Sequence, residues 1–402
     1  MVEFEKVHIW QLPMNKIYVK LLDETRKELI NEVIEVAKSI IEGKVRRNVE
    51  KLITLLNFKA SEHNSKKIKS SRIIFHWRRG DCFIPLWAVI EMSRLLNEPS
   101  LSLENIEESI TYYKGKCGSP IIKANFPLKI NIEMTALYFH LFGDGYFSEV
   151  KSTASYCQLD KQTRDNFIQK LKNAFGDFDS SKLKGSRYIL GFPSIFAFML
   201  KHIFGANTFL SAEGRIPDKI RRLPYILKFS GVVAFLIDEG TLNESISFSS
   251  SNELFLSDFK ELLLSIDYES EIHDNILRIK SKYVSKFYKD YLKVISESPC
   301  CDLAYKEDYL KILVNTNRNF NGSYAFSEKE IIYFKDQIIK TLLNKKLKTN
   351  EIRRILFKQC NISISYAATI KILKEMAQEQ IIGKGRINDK AYIWSVSKNV
   401  WS

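Results

Sequence analysis

Two carboxylates, each closing an apolar stretch and each followed by a glycine, carry the chemistry this sequence could do. They are Asp144–Gly145, in Thr135–Phe147 (TALYFHLFGDGYF), and Glu239–Gly240, in Gly231–Leu242 (GVVAFLIDEGTL). Both runs have the length and composition of a buried helix. An acid in the last turn of a helix faces the negative end of the helix dipole, where a lysine would be favoured instead. The glycine that follows reads as a helix terminator in the left-handed conformation. The same unfavourable choice, made twice and 95 residues apart, points to two acids that the fold holds close together. Carboxylates are hard oxygen donors suited to Mg2+ or Mn2+. The competing reading is two ordinary core helices with glycine stops, each carrying a stray acid.

At these residues the sequence resembles the LAGLIDADG homing endonucleases. Val232–Gly240 (VVAFLIDEG) matches the family motif, and Leu137–Gly145 (LYFHLFGDG) keeps its end. Tyr138, Phe139 and His140 stand where the family prefers small or aliphatic residues. The resemblance implies two motif helices packed as a pseudo-twofold axis, with Asp144 and Glu239 binding metal over the scissile phosphates. It implies Mg2+ or Mn2+ as cofactor and site-specific cleavage of double-stranded DNA. Lys282, after a strand and before a helix, matches a lysine that in the family points toward the active site. Met1 at the start and Ser402 at the end point to a free-standing protein, since an intein begins with Cys or Ser and ends in Asn.

The elements that would position these acids repeat. After Gly145, residues 146–159 read as a strand pair, 162–175 as a helix, 187–192 as a strand and 193–204 as a helix. After Gly240, residues 241–250 read as strand, 253–266 as helix, 267–279 as a hairpin around Asp274–Asn275, and 284–295 as helix. An internal repeat of this kind predicts an α+β, pseudo-twofold core of two αββαβα units over 131–220 and 221–298. On its strands, Ser148, Lys151, Thr153 and Tyr156 in one half, and Asn243, Ser245, Ser247 and Ser249 in the other, form the expected DNA-reading face. A solvated strand face is the plainer reading of each one.

Flanking segments add charge. Residues 16–44 read as one amphipathic scaffold helix. Between 44 and 79 there are eleven Lys or Arg against two acids, followed by Trp77–Gly80 and Pro85. This stretch resembles the helix-turn-helix of phage repressors and Cro. The resemblance places a recognition helix at 67–77 and makes Ser70, Ser71, Arg72, His76, Arg78 and Arg79 DNA contacts. The alternative is a solvated basic face. Residues 100–130, punctuated by Gly115, Gly118, Pro120 and Pro127, read as a connector. Residues 301–326 read as a linker. Beyond it, helices at 327–347, 349–358 and 363–380 and a basic hairpin read as a winged helix, with Lys384 and Arg386 meeting phosphate. Winged helices also serve as protein-binding modules. The domains expected are thus 1–105, helical; 106–300, core; and 327–402, winged helix.

Composition sets the bounds. A chain of 402 residues has room for two or three domains. A net charge of +14 favours a polyanionic partner. No apolar run reaches the length of a membrane span, and the first residues, MVEFEKVHIW, lack a signal-peptide core. Six cysteines without CxxC spacing argue against a structural zinc, and six scattered histidines against a zinc hydrolase. These features suggest a cytoplasmic protein, nucleoid-associated in a prokaryote, and the family resemblance implies a monomer with internal pseudo-twofold symmetry. Two other functions fit the same residues: a DNA-binding transcription regulator on a catalytically retired core, and an RNA-splicing maturase.

Overall fold

A computed structural model describes residues 5–40, 45–116, 122–210, 212–318, 327–343, 345–387 and 391–396. Helices predominate, the sheets are small and antiparallel, and no barrel occurs among the described residues. The chain divides into two compact units, Met1–Gly231 and Val232–Ser402.

The first unit opens with β1 (Lys6–Val7), β2 (Ile17–Leu21), α1 (Asp23–Ile40), α2 (Val45–Glu62) and α3 (Arg72–Arg79). Next come β3 (Ile84–Pro85), α4 (Leu86–Leu96), α5 (Leu103–Ser109), β4 (Ile110–Gly115), β5 (Ile122–Lys123) and β6 (Leu128–Lys129). Three sequence expectations change here. The scaffold helix begins at Asp23, not near residue 16, because Ile17, Val19 and Leu21 alternate inward as a strand. The connector at 100–130 contains α5 and β4, and β4 pairs with β2 inside a sheet of order β3-β2-β4-β5.

The expected helix at 67–77 starts only at Arg72. Ile68 cannot join it, because both its backbone groups bond the side chain of Asn57: its N–H to Oδ1 at 2.5 Å and its C=O to Nδ2 at 3.0 Å. Nine residues therefore separate α2 from α3, against the three or four of a tight helix-turn-helix. Buried Trp77 and left-handed Gly80 close α3, and Pro85 is the N-cap of α4.

The unit continues with α6 (Ile132–Phe142), β7 (Gly145–Ser148), β8 (Thr153–Cys157), α7 (Lys161–Phe175), β9 (Ile189–Phe192), α8 (Ser194–Phe204), α9 (Asp218–Arg221) and α10 (Tyr225–Glu239). Every residue of α6 is buried, so it is a central helix without a wet face. Its large residues part in different directions. Tyr138 packs on Phe204 and Phe209, and His140 lies against Tyr156 and Phe167. Phe139 meets Gly231 of α10, where a Cβ would run into its ring. Beside Gly231, Ser230 Oγ donates to the Ile132 carbonyl at 3.2 Å, at the start of α6. The bulky motif residue is thus received by a glycine on the facing helix.

In the second unit the end of α10 leads to β10 (Gly240–Leu242), β11 (Ile246–Ser249), α11 (Glu253–Leu264), β12 (Ser270–His273), β13 (Ile276–Ile279) and α12 (Val284–Glu297). Left-handed Asp274 and Asn275 turn the β12–β13 hairpin. The sheet order is β10-β11-β13-β12, one strand more than β7-β8-β9 in the first unit, so the αββαβα pattern does not hold for the second repeat. Residues 301–326 are not a plain linker, because α13 (Lys306–Arg318) occupies much of them. The C-terminal module has α14 (Glu328–Leu342), β14 (Leu347–Lys348), α15 (Thr349–Cys360), α16 (Tyr366–Gln378), β15 (Ile382–Ile387) and β16 (Ala391–Val396). Its core centres on buried Trp394, whose Nε1 donates to Thr349 Oγ1 at 3.1 Å.

Gly231 yields a test whose sign is informative. In an open helix position Gly→Ala adds about 1 kcal/mol of stability. Because Phe139 fills the space, Gly231→Ala is expected to destabilise by about 1–3 kcal/mol in denaturant unfolding. A gain in stability would contradict the close helix contact.

Candidate active site and nucleic-acid interface

Asp144 lies just past α6, after Gly143, and is half-buried. Its Oδ2 accepts from Gln158 Nε2 at 2.5 Å, and its carbonyl accepts from the Cys157 N–H at 2.9 Å. The hairpin that follows the helix therefore turns back to hold the acid. Burial, with the charge of Asp144 second, pushes the Cys157 thiol up.

Glu239 is the last residue of α10 and is also half-buried. Burial, then the neighbouring Asp238 charge, raises its carboxyl above the usual value, while the Lys306 ammonium acts the other way. Lys306 is buried, and its Nζ donates to the carbonyls of Leu236, Ile237 and Gly240 at 2.9, 2.6 and 2.7 Å. These are carbonyls at the end of α10, so the lysine that the dipole favours there comes from α13.

The two glycines after the acids are not left-handed, contrary to the sequence reading. Each is needed for close approach instead. A Cβ on Gly145 would strike the backbone of Leu141, and one on Gly240 the backbone of Leu236, because the chain folds back from helix into strand at once.

Lys282 does not stand free beside Glu239. It is exposed and paired with Glu269 at 2.5 Å. Glu269 also accepts from Lys280 at 2.8 Å and from the Tyr283 hydroxyl at 2.7 Å, which together push its carboxyl down to about 2. The cation acting on Glu239 is Lys306, a residue with no local sequence signal.

The expected DNA-reading residues separate by strand parity. In β8 the outward positions are Thr153, Ser155 and Cys157. Tyr156 points inward, fully buried, stacked on Phe167 at 4.2 Å and with its hydroxyl 3.2 Å from His140 Nδ1. It is a core residue, since its neighbour Thr153 is on the other face. Ser148 Oγ accepts from the Lys151 N–H in the β7–β8 turn.

In the second sheet, Ser247 and Ser249 share the outward parity of β11, Asn243 and Ser245 lie in the β10–β11 turn and not on a strand, and Arg278, opposite Ser247, extends the outward face. A cleft of about 800 Å3 lies between this face and α16, lined among others by Ser245, Ser247, Arg278, Tyr366, Lys371 and Lys374. The alternation of 270–279 could have exposed Arg278 from the sequence. The two lysines lie three apart on one helix and needed the pairing of α16 with the sheet.

Among the basic helical residues, Ser70, Arg72 and Arg78 are exposed and Ser71 is half-buried. His76 and Arg79 both engage Asp81, at 2.9 and 3.0 Å. Lys384 lies over the Tyr392 ring at 4.1 Å, and the side chain of Arg386 is outside the described residues. No group of three or more His, Cys, Asp or Glu that could hold a metal occurs among the described residues, and no described helix is long and apolar enough to cross a membrane. No protein-family model matches the chain, and no curated protein matches it.

Two outcomes follow for the end of α10. A carboxyl with a raised pKa holds its proton more tightly folded than unfolded, so its charged form weakens the fold above that pKa. Glu239→Gln is therefore expected to melt higher than the parent at neutral pH, with an advantage that fades as pH falls toward the ordinary 4.5. A pH-independent difference would contradict the burial of this charge. Lys306→Met leaves three carbonyls without their donor and should destabilise by on the order of 3 kcal/mol in urea titration. A loss below about 0.5 kcal/mol would show that the lysine does not hold the helix end.

Proposed function

We propose that this protein is a site-specific double-strand DNA endonuclease of the LAGLIDADG homing type, acting as a monomer with internal pseudo-twofold symmetry. The observation that carries this reading is one local plan used twice. A largely apolar helix leads into a half-buried carboxylate at or just past its end, a glycine too crowded for any Cβ folds the chain back, and an antiparallel hairpin with outward polar positions follows. The contact of Phe139 with Gly231 supports a close pair of motif helices.

The donor set suits a hard divalent ion. Mg2+ commonly takes one or two carboxylates and completes its octahedron with waters and substrate phosphate, so a cluster of three protein ligands is not required. Asp144 and Glu239 would hold Mg2+ or Mn2+. A bound ion would supply a water of lowered pKa and offset the charge developing on the phosphate. Gln158 orients the Asp144 carboxylate, and Lys306 fixes the turn that presents Glu239. Phosphates and base edges fall to Ser148, Lys151 and Thr153, to Ser245, Ser247, Ser249 and Arg278, and to the basic flanking modules. The C-terminal module reads as a winged helix with α16 as its groove helix. A soluble site beside the nucleoid or in the cytoplasm suits this role.

Strand-specific nicking tests the proposal. Glu239→Gln keeps side-chain shape and removes the charge a hard cation needs. It should abolish cleavage of one strand, and Asp144→Asn cleavage of the other, while metal-free affinity for duplex holds or improves. Duplex binding by a parent that never cleaves would leave a DNA-binding regulator in its place.

A further inference from the structure

The cleft between the second sheet and α16 brings cations from two elements together, where the nuclease reading treats each element separately. Arg278 projects from the sheet wall, and Lys371 and Lys374 project from the helix wall. All three are exposed, and none forms an ion pair among the described residues. Positions three apart on a helix share a face, so the two lysines act together. The acid opposite Arg278 across the strands, Glu271, faces Lys280 at 3.6 Å.

Glu244 is the only acid lining the cleft, and its Oε1 accepts from the Ala367 N–H at 3.0 Å, in the first turn of α16. A second bond, Asn350 Nδ2 to Asn243 Oδ1 at 2.7 Å, joins α15 to the same β10–β11 turn. These two bonds tie the module to the β10–β11 turn at the cleft, beside the ion pairs that hold α15 to α13.

We infer that this cleft takes the sugar–phosphate backbone of one nucleic-acid strand, gripped from both walls at once, so that sheet and α16 form one composite site. The inference rests on the DNA-binding part of the proposal above. It adds that the C-terminal module is not an independent DNA reader on a loose tether. Three cations facing one already bonded carboxylate complement a polyanion, and serine hydroxyls from Ser245 and Ser247 lie between them as phosphate donors. An open cleft of about 800 Å3 has room for a few nucleotides of one strand's backbone, with the rest of the duplex outside it. The Tyr366 ring in the wall offers a stacking face for a base.

The test measures anisotropy of a short fluorescein-labelled duplex of mixed sequence, in EDTA, over a series of KCl concentrations. Arg278→Gln should reduce the magnitude of the log–log salt slope by about 0.9, and Lys371→Gln with Lys374→Gln by about 1.8. The decisive variants carry no charge change. Asn243→Ala and, from the other wall, Asn350→Ala should each weaken binding by about tenfold and lower the slope, because the fastened cleft is lost. Melting curves check that each variant is folded.

Unchanged affinity in both asparagine variants would mean that the turn they tie does not shape a DNA-holding cleft and would overturn the inference. Tighter binding would mean that the cleft must open to admit DNA, which also overturns it. A parent that fails to bind the duplex sinks both readings. Cleavage is scored separately in Mg2+: cleavage with indifferent asparagine variants removes this inference alone, and no cleavage with responsive variants removes the nuclease alone.

Discussion

A buried ammonium at the C-terminal end of α10 is the interaction on which the second unit depends. Asp238 and Glu239 sit where the helix dipole is negative, and Glu239 is half removed from water. Left alone, that arrangement would fray the last turn, because the acids and the unpaired carbonyls repel each other. Lys306 answers both problems with three donated hydrogen bonds. The same helix, α13, carries Asp308, which binds Arg354 at 2.7 Å and Lys358 at 3.1 Å on α15. One helix thus fixes the turn that presents an acid and the module that lines the cleft. A segment that reads as a linker is a strut.

The first unit supports its acid by other means. Gln158 reaches back from beyond β8 to the Asp144 carboxylate, and behind it His140, Tyr156 and Phe167 form a stacked, buried layer. The difference follows from where the helices stop. The last helical residue of α6 is Phe142, two before the acid, so Asp144 already lies outside the dipole's last turn. Glu239 lies inside it and needs a cation. Two acids in similar sequence contexts therefore sit differently relative to the helix that precedes each.

Much of this was legible in the sequence, for identifiable reasons. The apolar run before Glu239 is long and uninterrupted, and Asp274–Asn275 is a strong turn signal, so both fall where expected, whereas α6 stops at Phe142 and leaves Asp144 outside the last turn that the sequence assigns it. Residues 17–21 were mistaken for helix because Leu21 and Leu22 extend the stripe of α1, although Ile17, Val19 and Leu21 have period two. Tyr156 faces the core because the alternation of β8 outweighs its polar hydroxyl. The glycines were assigned the wrong reason, since crowding against the helix's own last turn leaves no mark in sequence. Lys306 and the cleft were invisible because they join residues about 70 to 120 positions apart, and nothing local to either partner announces the other.

The central claim is that the acids at the ends of α6 and α10 cut DNA. The most direct measurement is a selection in which the unaltered protein is incubated with a library of randomised duplexes in Mg2+, and separately in EDTA, and the cleaved ends are sequenced. The account expects cleavage only with the metal, converging on one family of sites, with a constant offset between the cuts on the two strands. Retention of specific binding with no cut in Mg2+ or Mn2+ would contradict it.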